Sequence, residues 1–269
     1  MRILLIGSSG RIGSQILKEF QDHEIISPER KVYSEWHNIE QIKNIQRYVE
    51  VNNIESIFVC SGIMNSSENE RTILDVNFFL PANIIEATRS QRTRIIMFGT
   101  VMEDIAPDCN EYVRSKQRLQ EFINREIQNE RFLSLKIHTI YGGSRPNEYM
   151  FLGQILKSLK NQVVFNMSSG SQLREYHHVE DLVLAIKQLF INNISGIQHL
   201  SVGNPIKLKD LATYIFEYFG ARSNLKIGSI PHNNLDNFSN ILPSNSLIEE
   251  VRFRDPYEGI TQYLEKYLK

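Results

Sequence analysis

Arg2-Ile3-Leu4-Leu5-Ile6-Gly7-Ser8-Ser9-Gly10-Arg11-Ile12-Gly13 opens the chain and decides its fold. Arg2–Ile6 reads as a short buried strand. Ile12, Ile16, Leu17 and Phe20 then recur at helical spacing. The three glycines between them each have a use. Gly7 permits a tight turn, Gly10 lets the backbone approach a pyrophosphate, and Gly13 lets helix and strand pack closely. The helix N-terminus offers N–H groups and a positive dipole end to phosphates. A strand before the glycines and a helix after them is the context that this motif requires. Ser9, Arg11 and Ile12 complete the set expected to touch a dinucleotide.

The same alternation continues outward. Strand-like runs at Glu24–Ile26, Ser56–Cys60, Arg94–Phe98 and Phe132–His138 are separated by helical patterns. Asn38 is expected to cap one helix, another runs through Leu74–Ala87, and a long one covers Glu111–Ile127. This order predicts an α/β fold: a Rossmann-type, doubly wound parallel sheet with right-handed crossovers. The composition shifts near Gly142–Pro146. Residues 1–142 are therefore read as a dinucleotide-binding domain. Residues 143–269 are read as a smaller α/β substrate-binding part, with the chain interleaving between the two. In that part strands are expected near Val163–Phe165, Leu173–His177 and Gln198–Val202. Helices are expected at Met150–Leu159, Glu180–Ile191, Leu208–Phe219 and Glu258–Leu268, and a surface loop at 228–250.

The 269 residues are long enough to bury a substantial core without staples. Lys+Arg is 30 against Asp+Glu 31, a net charge of −1. That argues against nucleic acid or an anionic membrane as partner. Two cysteines, Cys60 and Cys109, make neither a disulfide framework nor a four-cysteine zinc site. No apolar run reaches membrane-spanning length, and the N-terminal apolar stretch is too short for a signal peptide. The expectation is a cytoplasmic protein that binds no metal.

Tyr112-Val113-Arg114-Ser115-Lys116 places a tyrosine and a lysine four apart on the long helix, on one face. An ordinary phenol, with a pKa of about 10, is a poor base at neutral pH. A neighbouring ammonium favours phenolate and burial opposes it, so the pair can serve as proton donor and acceptor. A ribose-selecting acid usually ends the second strand of such a unit. Here that strand runs into Ser27-Pro28-Glu29-Arg30-Lys31, and Arg11 adds a third cation. Cations there suit a 2′-phosphate and favour NADP(H) over NAD(H); the other reading of Arg30 and Lys31 is a solvated loop pair. Trp36 either packs on an adenine or fills the core.

The Gly-x-x-Gly-x-x-Gly spacing with Tyr-x-x-x-Lys resembles the extended branch of the short-chain dehydrogenase/reductase superfamily. The resemblance continues to the NAD-dependent epimerase/dehydratase family of sugar-nucleotide enzymes and spans nearly the whole chain. It implies a catalytic set of Thr100, Tyr112 and Lys116, with Lys116 also on the nicotinamide ribose. The Thr100 hydroxyl would stabilise developing alkoxide charge. It implies that Cys60, Ser61, Gly62 and Asn77 lie near the cofactor. Leu135–Gly142 is similar to the family's R-x-x-N-x-Y-G segment, with Lys136 for Arg, Thr139 for Asn and, just after it, Gly143 for the usual Pro. There Ile137 and Ile140 would meet the cofactor and Thr139 the substrate. Leu173–Leu182 is similar to R-x-F-V-H-V-x-D, which implies that Arg174 binds the diphosphate of a nucleotide-linked sugar. Asp181 and His178 are expected to shape and cap the following helix. A homodimer through helices around the Tyr–Lys helix is a family expectation. Leu119, Phe122 and Ile123 offer apolar surface for it, or serve the core.

Three reactions share this set: 4,6-dehydration, 4-epimerisation and ketone reduction. Dehydratases carry an Asp-Glu pair directly after the Ser/Thr. Here Val101-Met102 follows Thr100, and Glu103 and Asp104 come too late to match. The short chain, with 12 positions from Thr100 to Tyr112, is more similar to 4-keto-6-deoxysugar reductases than to epimerases. The expected activity is NAD(P)H-dependent reduction of a nucleotide-linked ketosugar in deoxysugar or surface-polysaccharide biosynthesis. A 4-epimerase with retained NAD is the alternative. A non-catalytic dinucleotide sensor is a third reading, against which the Thr–Tyr–Lys set argues.

Overall fold

The computed structural model describes residues 1–64, 69–107, 109–126, 130–231 and 235–269. Ile127, the expected end of the long helix, and residues 232–234 of the expected loop lie outside that set. The described chain forms two compact units, Met1–Ile137 with Ile186–Leu200, and His138–Ala185 with Ser201–Lys269.

In chain order the first unit begins with β1 (Arg2–Ile6), α1 (Arg11–Glu19), β2 (Glu24–Ile26), α2 (Arg30–Tyr33), α3 (Ile42–Val51) and β3 (Ser56–Val59). It continues through α4 (Glu70–Leu74), α5 (Leu80–Ala87), β4 (Arg94–Thr100), α6 (Met102–Ile105), α7 (Glu111–Glu126) and β5 (Phe132–Ile137). Next come β6 (Thr139–Tyr141), α8 (Phe151–Asn161), β7 (Phe165–Met167), β8 (Leu173–Arg174) and β9 (Tyr176–His178). The chain ends with α9 (Val179–Ile191), β10 (Gly196–Leu200), β11 (Ile206–Lys207), α10 (Leu208–Tyr218), β12 (Leu225–Ile227) and α11 (Pro256–Leu268).

The first unit is built on a six-stranded sheet in the order β10-β5-β4-β3-β1-β2, parallel throughout. Its central strands are continuous apolar runs because helices cover both faces. One face packs Trp36, Ile45, Val49, Leu119, Ile123 and Phe132. On the other, Phe58 meets Phe20 and Phe190 with centroids 5.3 and 5.2 Å apart. After β1 the chain goes to β2 on one side and returns to β3 on the other. That reversal opens a crevice at the carboxyl ends of β1 and β3, where open α/β sheets bind ligands. The register Ile6↔Val59 and Val59↔Met97 brings the ends of β1, β3 and β4 to one edge of the sheet.

The second unit has its own core of Tyr141, Ile155, Leu211, Ile215, Phe216, Ile260 and Leu264. It carries three two-stranded ladders: β6 with β9, β7 with β12, and β8 with β11. The strand expected over Leu173–His177 is broken at Glu175. This buried carboxylate accepts the Val202 N–H (2.6 Å) and the Ser201 hydroxyl (3.1 Å), and meets His177 Nε2 at 2.7 Å. The strand expected at Val163 starts at Phe165, because α8 continues to Asn161 and Gln162 turns the chain at φ 54°. Asn38 does not cap with its side chain, which instead donates to Glu35. No helix among the described residues is long and apolar enough to cross a membrane.

Candidate active site

The glycine turn is held by backbone contacts that exclude side chains. Gly7 has φ +83°, and a Cβ there would lie 2.7 Å from Ser61 N. A Cβ on Gly13 would lie 2.2 Å from the Gly7 carbonyl oxygen. Gly10 N–H donates to that oxygen at 3.0 Å and caps α1 with no side chain of its own. Ser9 and Gly10 are exposed, and Arg11 and Ile12 half-buried. The Cys60-Ser61-Gly62 turn packs directly on Gly7. Ser61 Oγ is buried there with no partner among the described residues. Bare backbone at a helix N-terminus and an orphaned hydroxyl beside it fit a pyrophosphate.

Asn77 fastens this turn to the helix of Tyr112 and Lys116. It is fully buried. Its Oδ1 accepts the Ile63 N–H (2.9 Å), and its Nδ2 donates to the Ile63 carbonyl (2.8 Å) and to Ser115 Oγ (3.0 Å). Ser115 Oγ in turn donates to the Tyr112 carbonyl at 2.6 Å. Asn77 sits in a π-helical turn, Asp75–Phe79, between α4 and α5. Pro81 has no N–H for the Asn77 carbonyl four residues back, and its ring crowds it. The wider turn accommodates both, as π-turns often do at functional sites.

Lys116 is 7% exposed, and its Nζ lies 3.9 Å from where a Gly62 Cβ would stand. Burial pushes its pKa down to about 8, opposed by Glu103 and Cys60. Burial pushes the Tyr112 phenol up from its ordinary value, and Glu103 adds to the effect. Of the two opposed effects at Tyr112, burial sets the direction. Burial likewise raises the Cys60 thiol, against the pull of Lys116. Thr100 ends β4 and is buried. Its Oγ1 accepts the Met102 N–H at 3.3 Å, and its own N–H donates to Glu103 Oε1 at 2.6 Å.

Glu103 is the residue that sequence reasoning passed over. In sequence it stands too late after Thr100 to match a dehydratase pair, and its contact with the Thr100 N–H is made only in the fold. It is 5% exposed, with Oε1 placed where a Cβ on Gly99 would come within 2.5 Å. Gly99 before Thr100, with an acid three residues after it and Lys136 on the next strand, is the signal that could have found it.

The other expected residues divide. Ile137 ends β5 opposite Thr100. Arg30 is exposed at the start of α2, beside a Lys31–Glu29 ion pair at 2.7 Å. Trp36 packs in the core: it is 4% exposed and edge-on to Tyr33 and Tyr48. Leu119 and Ile123 are buried in the same core, and Phe122 packs against it. Within the second unit, Thr139 and Ile140 are half-buried in β6, paired with Tyr176 and His177. Arg174 is half-buried and donates to Asp236 at 2.5 Å. His178 Nδ1 accepts the Glu180 N–H at the start of α9, and Asp181 accepts the Arg254 N–H. Among the described residues no group of three or more His, Cys, Asp or Glu is arranged to hold a metal.

The chain is similar to known proteins in sequence and fold. CDP-abequose synthase of Salmonella muenchen is 20% identical over 250 aligned residues, covering 85% of this chain and 84% of its own. A dTDP-4-dehydrorhamnose reductase of Bacillus anthracis str. Ames, solved with NADP, superposes with a TM-score of 0.77 at 17% identity over 98% and 99% of the two chains. A UDP-glucose-4-epimerase of Stenotrophomonas maltophila, solved with NAD and formylated UDP-arabinopyranose, gives 0.79 at 14% identity over 100% and 98%. The profile of the NAD dependent epimerase/dehydratase family matches residues 3–203. The chain belongs to that family, within the extended short-chain dehydrogenase/reductase superfamily of NAD(P)-dependent enzymes.

Proposed function

We propose that the chain reduces a nucleotide-linked ketosugar of the 4-keto-6-deoxyhexose type, with NADPH preferred over NADH, in deoxysugar or surface-polysaccharide biosynthesis. The observation that carries this reading is the Tyr112–Lys116 pair on one face of α7, tied through Ser115 and Asn77 to the segment that follows the Gly62 turn beside Gly7, in a unit where Thr100 ends the central strand β4. A bound reduced dinucleotide supplies the hydride. Tyr112 gives its proton to the carbonyl oxygen as charge develops there, and the Thr100 hydroxyl donates to the same oxygen. Lys116 holds the nicotinamide ribose and steadies the phenolate left after proton transfer. The product is a secondary alcohol, and Tyr112 recovers its proton from solvent. The names of the relatives, a CDP-sugar synthase and a dTDP-sugar reductase, support a nucleotide sugar as substrate. Arg174 takes the diphosphate by exchanging its Asp236 carboxylate for phosphate oxygens, and Thr139 contributes a sugar contact. Arg11 and Arg30 support the 2′-phosphate of NADP(H).

The test is to denature freshly purified protein, identify any released dinucleotide, and titrate NADPH and NADH. Little retained dinucleotide, tighter NADPH binding and NADPH oxidation by a nucleoside-diphosphate 4-keto-6-deoxyhexose are expected. Stoichiometric retained NAD, as an epimerase that recycles its cofactor would hold, overturns the reductase reading.

A further inference from the structure

The second unit holds a cleft of about 720 Å³, lined from β9, the turn after β10, the segment 252–255 and the first turns of α11. That volume lies within the range of small-molecule sites, roughly 300–1,000 Å³. Neither Arg174 nor Thr139, assigned above to the nucleotide sugar, lines it. Several of its charged groups are already engaged. Arg254 donates to Glu180 at 2.6 Å, and its Nε lies 3.4 Å from Asp181. Asp181 also accepts the Arg254 N–H at 3.0 Å. Asp255 caps α11 by accepting the N–H groups of Tyr257 (2.9 Å) and Glu258 (3.1 Å). The helix N-terminus that an anion would seek therefore already faces a carboxylate.

Four lining side chains make no hydrogen bond or ion pair among the described residues: Asn204, Arg252, Glu258 and Gln262. All four are exposed, and Glu258 and Gln262 stand four apart on one face of α11. One only donates, one only accepts, the two carboxamides do both, and the two charges cancel. Phe253 lines the same cleft, half-buried, and packs on His177 with ring centroids 4.6 Å apart. Two buried atoms at the wall also lack a partner among the described residues. His177 meets Glu175 through Nε2, and its Nδ1 is bare. The Tyr141 hydroxyl is bare too, and lies 2.1 Å from where a Cβ on the lining residue Gly259 would stand.

We propose that this cleft binds a neutral saccharide: a pyranoside whose hydroxyls meet Asn204, Arg252, Glu258 and Gln262 and whose C–H face lies on Phe253. Each hydroxyl both donates and accepts, so a polyol uses all these groups at once. A simple anion would use Arg252 and be repelled by Glu258; a simple cation would use Glu258 and be repelled by Arg252. The C–H groups of the sugar ring suit the negative face of an aromatic. The proposal stands apart from the reductase reading, because such a ligand needs no nucleotide, no carbonyl and no dinucleotide beside it.

The test uses the full chain without cofactor and the methyl α-glycosides of glucose, galactose and mannose. Binding is read by NMR from the side-chain amides of Asn204 and Gln262 and the Arg252 Nε–H in 15N-labelled protein, each assigned by its absence from the alanine variant. Saturable shifts of these signals with at least one glycoside are expected, at a Kd on the order of 1 mM or tighter. Asn204→Ala and Gln262→Ala, at exposed positions, are each expected to weaken binding about 3–10-fold, read on the signals that remain. No saturable shift with any glycoside up to about 10 mM overturns the proposal. So do shifts centred on Thr139 and Arg174 or on the first unit, and equal shifts with sodium phosphate or methylammonium chloride. The two readings fail separately. Full turnover by Tyr112→Phe sinks the reductase mechanism and leaves this titration intact.

Discussion

Lys116 is charged at neutral pH in a place that disfavours charge. Its folded pKa of about 8 lies below the ordinary 10.5. Between those values the unfolded chain keeps a proton that the folded chain has released, so stability rises with pH across that window. The cost of the buried ammonium is full below the folded value and gone above the unfolded one. Lys116→Met is therefore expected to melt at a higher temperature than wild type at pH 7, with the gap closing as pH approaches 10.5. Thermal melts at the two pH values check this, and a lower melting temperature for the variant at pH 7 counts against it. Tyr112→Phe should bind NADPH as the wild type does and lose roughly 10²–10⁴ in turnover, the usual contribution of a general acid. Equilibrium dinucleotide binding and steady-state rates separate the two effects.

At the scale of elements, the glycine turn and the π-helical turn do the positioning. A methyl at Gly13 meets the Gly7 carbonyl oxygen at 2.2 Å, and backbone cannot swing aside as a flexible side chain can. Gly13→Ala is expected to cost about 1–3 kcal/mol by overpacking and to weaken dinucleotide binding at least tenfold. Urea unfolding and NADPH titration measure both. Asn77→Ala removes three hydrogen bonds and strands the Ile63 backbone groups. A loss of about 2–4 kcal/mol in urea unfolding is expected, with weaker NADPH binding as the Gly62 turn loosens. The two turns differed in legibility. The glycine turn could be read because its demands are local and only glycine meets them. The π-turn could not, because Asn77 acquires its purpose from Ile63 and Ser115, 14 and 38 positions away. The break at Glu175 was hidden for the same reason: its partners Ser201 and Val202 belong to a later segment.

At the scale of the molecule, the first unit is completed by a segment from far along the chain. β10 pairs with β5 over the register Gly196↔Leu133 to Leu200↔Ile137. Arg94, at the start of β4, donates to the carbonyls of Phe190 (2.7 Å) and Ile194 (2.5 Å), with its guanidinium over the Phe190 ring. A 1–142 fragment lacks β10 and Phe190. It exposes the β5 edge and the Phe20–Phe58 face, a template for aggregation. Such a fragment is expected to aggregate or to bind a hydrophobic dye on expression; a monomeric, cooperatively folded 1–142 would show that the segment is dispensable.

The strand, the three glycines and the helix after them determined the fold class and the location of the crevice. They could do so because hydrophobic periodicity and backbone sterics act within a few residues of their cause. The Tyr-x-x-x-Lys pair was legible for the same reason, since helical spacing alone sets a common face. Tertiary structure decided the rest. It buried Trp36 among Tyr33 and Tyr48, paired Arg174 with Asp236 across 62 positions, and brought residues 196–200 to the edge of β5. It also set the direction of the shift at Tyr112 and placed the Glu103 carboxylate on the Thr100 N–H. Burial and Coulomb energy depend on which groups surround a side chain, and those groups come from segments that only folding brings together.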